Sequence, residues 1–128
     1  MSFQQFFVKP NRKSLIIPVF MEVDVGGALA TAIVGSPIST PAGVAFSYLR
    51  EGDAAHTVIT SALGVLGTWT AGSLKEFSTT AAPGMYQFGV PDACLASGRN
   101  VGFVDLMLAF TASRAHVRIH LVRSLAVN

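Results

Sequence analysis

The segment VGFVDLMLAFTASRAHVRIHLV, residues 101–122, decides the fold class. Its first half alternates in polarity with a period of two, which places every second side chain on the same face of a strand. The core-facing set is Val104, Leu106, Leu108 and Phe110, and the outer set is Phe103, Asp105 and Met107. Ser113 and Arg114 are predicted to form a tight turn before a closing strand over residues 115–122. This alternation is typical of antiparallel strands with one buried face.

The rest of the chain repeats the same pattern in shorter pieces. Further strands are predicted over residues 14–24, 44–51, 56–60, 73–77 and 85–90. The glycine-rich connection 25–41 is a candidate for a short strand around residues 30–34. Pro18 indicates an edge strand or a bulge, and Pro83-Gly84 indicates a turn.

One helical feature interrupts the strands. Residues 91–98 are predicted to form one short helical turn, because Pro91 stands near its start and Gly98 at its end. Many short strands with regular turn signals predict an all-β, antiparallel Greek-key β-sandwich. Residues 1–13 are interpreted as an N-terminal arm or edge strand, and residues 14–128 as the sandwich domain.

The composition excludes a disordered chain. Of the 128 residues, 51% are hydrophobic and only 12% are charged, whereas disorder requires low hydrophobicity and high charge. Charged side chains are too few to cover the surface of the folded chain. Either Ser, Thr and Gly residues form much of that surface, or other chains cover part of it. Residues 25–49 carry no charge, but glycines and prolines interrupt them, so a membrane-spanning helix is not expected. No signal peptide is recognised at the start.

Three phenylalanines, Phe3, Phe6 and Phe7, precede the first clear strand. Apolar residues near a chain end form an adhesive patch unless they are tied down. Two interpretations are open: a first strand paired inside the domain, or an arm that docks on a neighbouring subunit. Either way, we expect these side chains to be buried.

Arg114, His116, Arg118 and His120 follow one another at intervals of two and therefore share one face of the last strand. They form either a basic stripe that contacts an acidic or phosphate-bearing partner, or a solvated face that is basic by composition. The net charge is only +2, which gives a weak field for a nucleic-acid binder. A protein partner is also favoured because no aromatic residues interleave with these cations along the strand.

No catalytic, cofactor or metal site is predicted. His116 and His120 have the i, i+4 spacing of a helical metal pair, but on a strand they lie roughly 13 Å apart, too far to share a zinc ion. The sequence contains no nucleophile elbow and no phosphate-binding glycine loop. Cys94, the single cysteine, lies in an apolar run and is expected to be a buried, inert thiol.

Trp69 is the candidate for a carbohydrate contact. It lies in the stretch GTWTAG, residues 67–72, where a lone indole on a loop could stack on a sugar. The alternative is that Trp69 covers the edge of the core. A second exposed aromatic side chain nearby would strengthen the carbohydrate interpretation.

Four segments carry a resemblance to a known family. They are YLREG at 48–52, GSLKEF at 72–77, APGMYQF at 82–88 and VPDACLASG at 90–98. In this order they resemble small immunoglobulin-like sandwich domains found in tailed-bacteriophage and marine viral genomes. Cys94 and the Arg/His-rich last strand depart from the family pattern.

The resemblance implies an immunoglobulin-like fold and a non-enzymatic virion structural or accessory protein, assembled in the host cytoplasm. A capsid decoration (cement) protein is the first placement, followed by a tail, collar or baseplate component. A carbohydrate-binding adhesion module on the particle surface is a further alternative. The implied partners are other virion proteins, such as major capsid or tail subunits, and copies of the chain itself. No catalytic residue is carried over from the family.

Overall fold

The computed structural model of the chain describes residues 3–23, 44–62, 64–78, 81–98, 101–110 and 113–122. The strand predicted around residues 30–34 lies outside the described residues. The strands are β1 Phe3–Val8, β2 Ile16–Phe20, β3 Glu22–Val23, β4 Val44–Arg50, β5 Thr57–Ile59, β6 Leu74–Ser78, β7 Ala82–Gly89, β8 Phe103–Phe110 and β9 Ser113–Leu121. One turn of 3-10 helix spans Asp92–Leu95, inside the predicted helical turn.

The strands form two sheets, which confirms the all-β prediction. The larger, six-stranded sheet has the order β1-β9-β8-β4-β5, with β3 also paired to β9, and the smaller sheet has the order β2-β7-β6. Every described pairing between these strands is antiparallel except that of β1 with β9, which is parallel. Residues 3–8, for which an arm and an edge strand were alternatives, form this edge strand.

The inner faces of the two sheets share one core. Alternate residues of β8 and β9 are fully buried, as the period-two pattern predicts: Val104, Leu106, Leu108, Val117 and Ile119. From the smaller sheet, Tyr86 and Phe88 are also fully buried. The ring of Phe88 meets that of Phe46 edge to face, with centroids 5.8 Å apart. Such aromatic pairs add about 0.5–1.5 kcal/mol beyond the burial of their area.

Two turn predictions are wrong. Ser113 and Arg114 lie in β9, because Phe110 pairs with Ser113 on one side and β3 pairs with both residues on the other. Pro83 and Gly84 lie within β7. There Gly84 adopts a φ of 84°, and the register of the neighbouring strand shifts, so an irregular ladder accommodates a sequence that is typical of turns.

Pro18 occupies an edge strand, as predicted, because β2 lies at one end of the smaller sheet. The side chain of Gln4 satisfies backbone groups on β2. Its Oε1 accepts a hydrogen bond from Phe20 N at 2.8 Å, and its Nε2 donates to the carbonyl oxygen of Pro18 at 3.4 Å. An edge strand with unpaired backbone groups is prone to pairing with other chains, so this amide both protects the edge and links the two sheets.

Arg50 connects the larger sheet to the 3-10 helix. It lies at the end of β4, and its Nη2 donates a hydrogen bond to the carbonyl oxygen of Ala96, just after the helix. On the opposite side of the helix, Asp92 Oδ1 accepts a hydrogen bond from Ser14 N at 2.9 Å. The helix therefore closes one end of the core between two segments that are distant in sequence.

Cys94 is buried in the core as expected, and burial raises the pKa of its thiol to about 12. We expect a thiol reagent at pH 8 to modify the native protein far more slowly than the protein unfolded in guanidinium chloride, because the thiolate is the reactive form. Stopped-flow absorbance with a chromogenic disulfide reagent measures both rates. Equal rates in the two states would contradict the buried position.

Candidate functional site

The outer face of the larger sheet carries the candidate site. Strand register aligns its side chains in rows that run across the sheet. One row contains Val58, Ser47, Met107 and His116, and the next contains Leu49, Asp105, Arg118 and Gln5. A third row contains Phe103, His120 and Phe7. Three of the basic side chains predicted from β9, His116, Arg118 and His120, thus share rows with apolar and aromatic side chains from four other strands.

Asp105, at the centre of this face, fixes the position of Arg118. The guanidinium donates from Nε to Oδ1 at 2.8 Å and from Nη2 to Oδ2 at 2.9 Å. The Nε2 atom of His116 lies 3.3 Å from the same Oδ1. The guanidinium carbon of Arg118 lies 4.0 Å from the centroid of the Phe103 ring. A bidentate salt bridge and a stacked ring together restrict the guanidinium to one orientation.

The same contacts set the electrostatics of this group. The hydrogen bond from Arg118 holds the pKa of Asp105 below its usual value against the opposing effect of partial burial, and His116 contributes in the same direction. The hydrogen bond to Asp105 raises the pKa of Arg118 in return. Both side chains are therefore charged throughout the neutral range.

His120 lies at the edge of the site beside β1. Its Nε2 is 2.8 Å from Oε1 of Gln5. The imidazole stacks on Phe7 with ring centroids 4.6 Å apart and an interplanar angle of 11°. Phe7 remains 68% exposed in the single chain.

The other two phenylalanines of β1 have different environments. Phe6 is half-buried and packs against the core, and nothing is described for the side chain of Phe3. The expectation of burial is therefore met in part by Phe6, whereas Phe7 is exposed on the outer face within its own chain.

A concave region of about 460 Å³ opens on the same face. Leu49 and Met107 line it and are 38% and 37% exposed. Its polar lining includes Asp105, His116 and His56. The site thus offers an apolar depression with a charged, oriented group beside it.

The sequence argument that no aromatic residues interleave with the cations does not hold in three dimensions. Phe103 on β8 and Phe7 on β1 both pair with His120 of β9. The interleaving residues come from neighbouring strands, so inspection of β9 alone misses them. The predicted stripe is also less basic than expected, because Asp105 binds two of its members.

Trp69 lies away from this face and is half-buried. Its indole N–H donates to the carbonyl oxygen of Val90 at 2.9 Å, which anchors the loop to the end of β7. This donor is thus engaged within the chain, and the carbohydrate contact stays a prediction.

The described part of the chain shows neither a cluster of metal ligands nor a membrane-spanning helix. No group of three or more His, Cys, Asp or Glu residues there has the geometry to hold a metal ion. Among the same residues, no helix has the length and hydropathy needed to cross a bilayer.

The salt bridge of Asp105 makes stability depend on pH. Because its folded-state pKa is lowered, its contribution is present above the unfolded pKa and is lost as pH falls through the folded value. We expect Asp105→Asn to lower the free energy of unfolding by at most about 1 kcal/mol at pH 7, as for a partly exposed pair. Urea titrations at pH 7 and pH 3 measure this difference, which should shrink at the lower pH. A difference that grew in acid would contradict the assignment.

Comparison of the chain with protein-family models, with curated proteins and with solved structures finds no match in any of the three.

Proposed function

We propose that this protein is a non-enzymatic virion structural protein that binds neighbouring protein subunits, with capsid decoration as its placement. The observation that carries the proposal is the outer face of the larger sheet, where Leu49, Met107 and Phe7 are exposed beside the oriented Arg118. Interfaces are enriched in aromatic residues, Met and Arg relative to the rest of a protein surface. The described face has this composition.

The proposal includes an immunoglobulin-like Greek-key topology. In the variable-type immunoglobulin sandwich one sheet contains strands G, F, C and C′, and the other contains B, E and D. The orders β9-β8-β4-β5 and β2-β7-β6 support this topology, because they follow the same chain order as those strands, with β1 and β3 as additional strands beside β9. The short helix between β7 and β8 falls at the E–F connection. The disulfide between strands B and F of antibody domains has no counterpart, since the chain has a single cysteine.

The virion placement rests on the sequence resemblance at residues 48–52 and 72–98 and on the composition. A chain with 12% charged residues and several exposed apolar side chains suits a subunit whose surface is partly covered in an assembly. We call the outer face of the larger sheet, with Leu49, Met107, Phe7 and Arg118, the docking face. Phe7 belongs to it through the edge strand β1, whereas the sequence also allowed residues 1–13 to form a detached arm.

Quantitative mass spectrometry of purified particles of the virus that encodes this chain tests the proposal. Decoration predicts on the order of hundreds of copies per particle, as a symmetric shell requires, whereas about a dozen or fewer would assign the chain to the tail machinery. Presence in infected-cell cytosol combined with absence from particles would refute a virion role. A glycan array probed with the purified wild-type chain and with the Trp69→Ala variant tests the adhesion alternative.

A further inference from the structure

We propose that Arg118 is the anchor of the docking face and that it binds a carboxylate of a protein partner whose adjacent apolar side chain enters the depression between Leu49 and Met107. This inference rests on the proposed function and names the chemistry of the partner. Arg118 is oriented before binding by Asp105 and Phe103. Orientation in advance reduces the entropy lost on association.

Arg118 keeps hydrogen-bonding capacity for a second carboxylate. A guanidinium has five N–H donors, and the two bonds to Asp105 are made by Nε and Nη2. The N–H groups of Nη1 take no part in these two bonds, so they are the donors for the carboxylate of the partner. Arginine suits this role because its planar, multidentate geometry matches carboxylates.

The depression supplies the second contact. Leu49 and Met107 line it and expose more than a third of their surface, and Val58, on the neighbouring strand, is 71% exposed. Methionine adapts to side chains of different shape. A Leu, Met or Phe side chain next to the acidic residue of the partner would bury these apolar surfaces.

A second copy of this chain does not fit the same face as well. Asp105 is occupied by Arg118 and His116 of its own chain, and Oε1 of Glu51, near the rim, accepts a hydrogen bond from Gly102 N. Two copies placed face to face about an axis through Arg118 would juxtapose their guanidinium groups, and like charges in an interface oppose association. Nucleic acid is disfavoured because the depression beside Arg118 is lined by Leu49 and Met107, whose apolar surfaces a phosphate backbone would not bury.

The probe is a set of synthetic peptides titrated into the isotope-labelled protein and followed by NMR. The first peptide carries glutamate beside leucine, the second replaces glutamate by glutamine, and the third replaces leucine by serine. We expect the first peptide to shift the amide signals of residues 105–107 and 116–118 in a saturable manner. The other two should bind at least about tenfold more weakly. Equal binding of all three peptides would overturn the proposal.

Variants separate an oriented anchor from general positive charge. Arg118→Gln should weaken binding at least about tenfold, and Arg118→Lys, which keeps the charge but loses the planar geometry, should weaken it as well. Arg12→Gln, in the exposed connection before β2, is the matched control. Urea titration verifies that each variant is folded.

Two further measurements address the other occupants. Tighter binding of a single-stranded oligonucleotide than of the first peptide at the same ionic strength would overturn the proposal in favour of nucleic acid. Sedimentation showing a dimer that Arg118→Gln dissociates would assign the face to a second copy. Failure of the proposed function can be told apart from failure of this inference. If the chain binds the peptide but is absent from particles, only the virion role is refuted. If the Arg118→Gln variant is incorporated into particles normally, only the role of Arg118 as anchor is refuted.

Discussion

Replacing Gly72 by alanine is expected to lower the stability of the folded protein severely. Gly72 adopts a φ of +78°, and a Cβ atom there would lie 2.2 Å from the carbonyl oxygen of Thr60. The backbone conformation costs an L-residue about 1–3 kcal/mol, and displacing packed neighbours costs about 1–3 kcal/mol more. Domains of this size have total stabilities of about 5–15 kcal/mol.

Gly52→Ala is the matched control for this prediction. Gly52 has a similar φ of +89°, but nothing lies within 4 Å of the position of its added Cβ. It therefore measures the conformational cost alone. Chemical denaturation of both variants compares the two costs, and a Gly72→Ala variant as stable as Gly52→Ala would contradict the close approach of Gly72 to Thr60. The clash also adjoins β5, so the signals of β5 should shift in any folded Gly72→Ala protein.

Phe88→Ala should be a strongly destabilising truncation of a core side chain in β7. Phe88 is fully buried on the central strand of the smaller sheet and contacts Phe46 edge to face. Truncation of a buried phenylalanine costs about 3–5 kcal/mol because it removes apolar burial and leaves a cavity. Urea unfolding monitored by circular dichroism measures the loss as a lower midpoint with an unchanged slope.

Phe77→Ala serves as the comparison. Phe77 lies on the neighbouring strand β6 and is 38% exposed, so the same truncation removes less buried surface and leaves no closed cavity. We expect the loss to be less than half of that for Phe88→Ala. Equal losses would show that Phe88 is not at the centre of the core.

Period-two alternation predicts most of the strands and the two faces of β8. It places Val104, Leu106 and Leu108 in the core and Asp105 outside, and the structure agrees. It cannot give the partners across strands, because these depend on register. The predicted turn at Ser113-Arg114 would pair β8 and β9 in a different register from the observed one, in which Phe110 pairs with Ser113. Every residue would stay on the same face of its strand, but Asp105 would no longer lie opposite Arg118.

Gln87 shows a second limit of sequence reasoning. Alternation assigns it to the outer face of β7, and yet it is only 5% exposed. The preceding loop covers it: Gly67 N donates to Oε1 at 2.8 Å, and Nε2 donates to the carbonyl oxygen of Val65 at 3.0 Å. A local pattern carries no information about a loop that folds back from about 20 residues earlier in the chain. A local pattern also fails to show that Phe7 and Phe103 are neighbours of His120, because strand pairing brings them together from distant parts of the chain.

The parallel pairing of β1 with β9 has a consequence for biosynthesis. Gln5 and His120, which meet across this pair, are separated by 115 residues. During translation β1 leaves the ribosome long before β9, so β1 has no described strand with which to pair its backbone until β9 has been made. Closing so long a loop carries an entropic penalty. The nascent chain therefore exposes an unpaired, phenylalanine-rich strand until β9 is made, and unpaired strands of this kind are prone to aggregation during that interval.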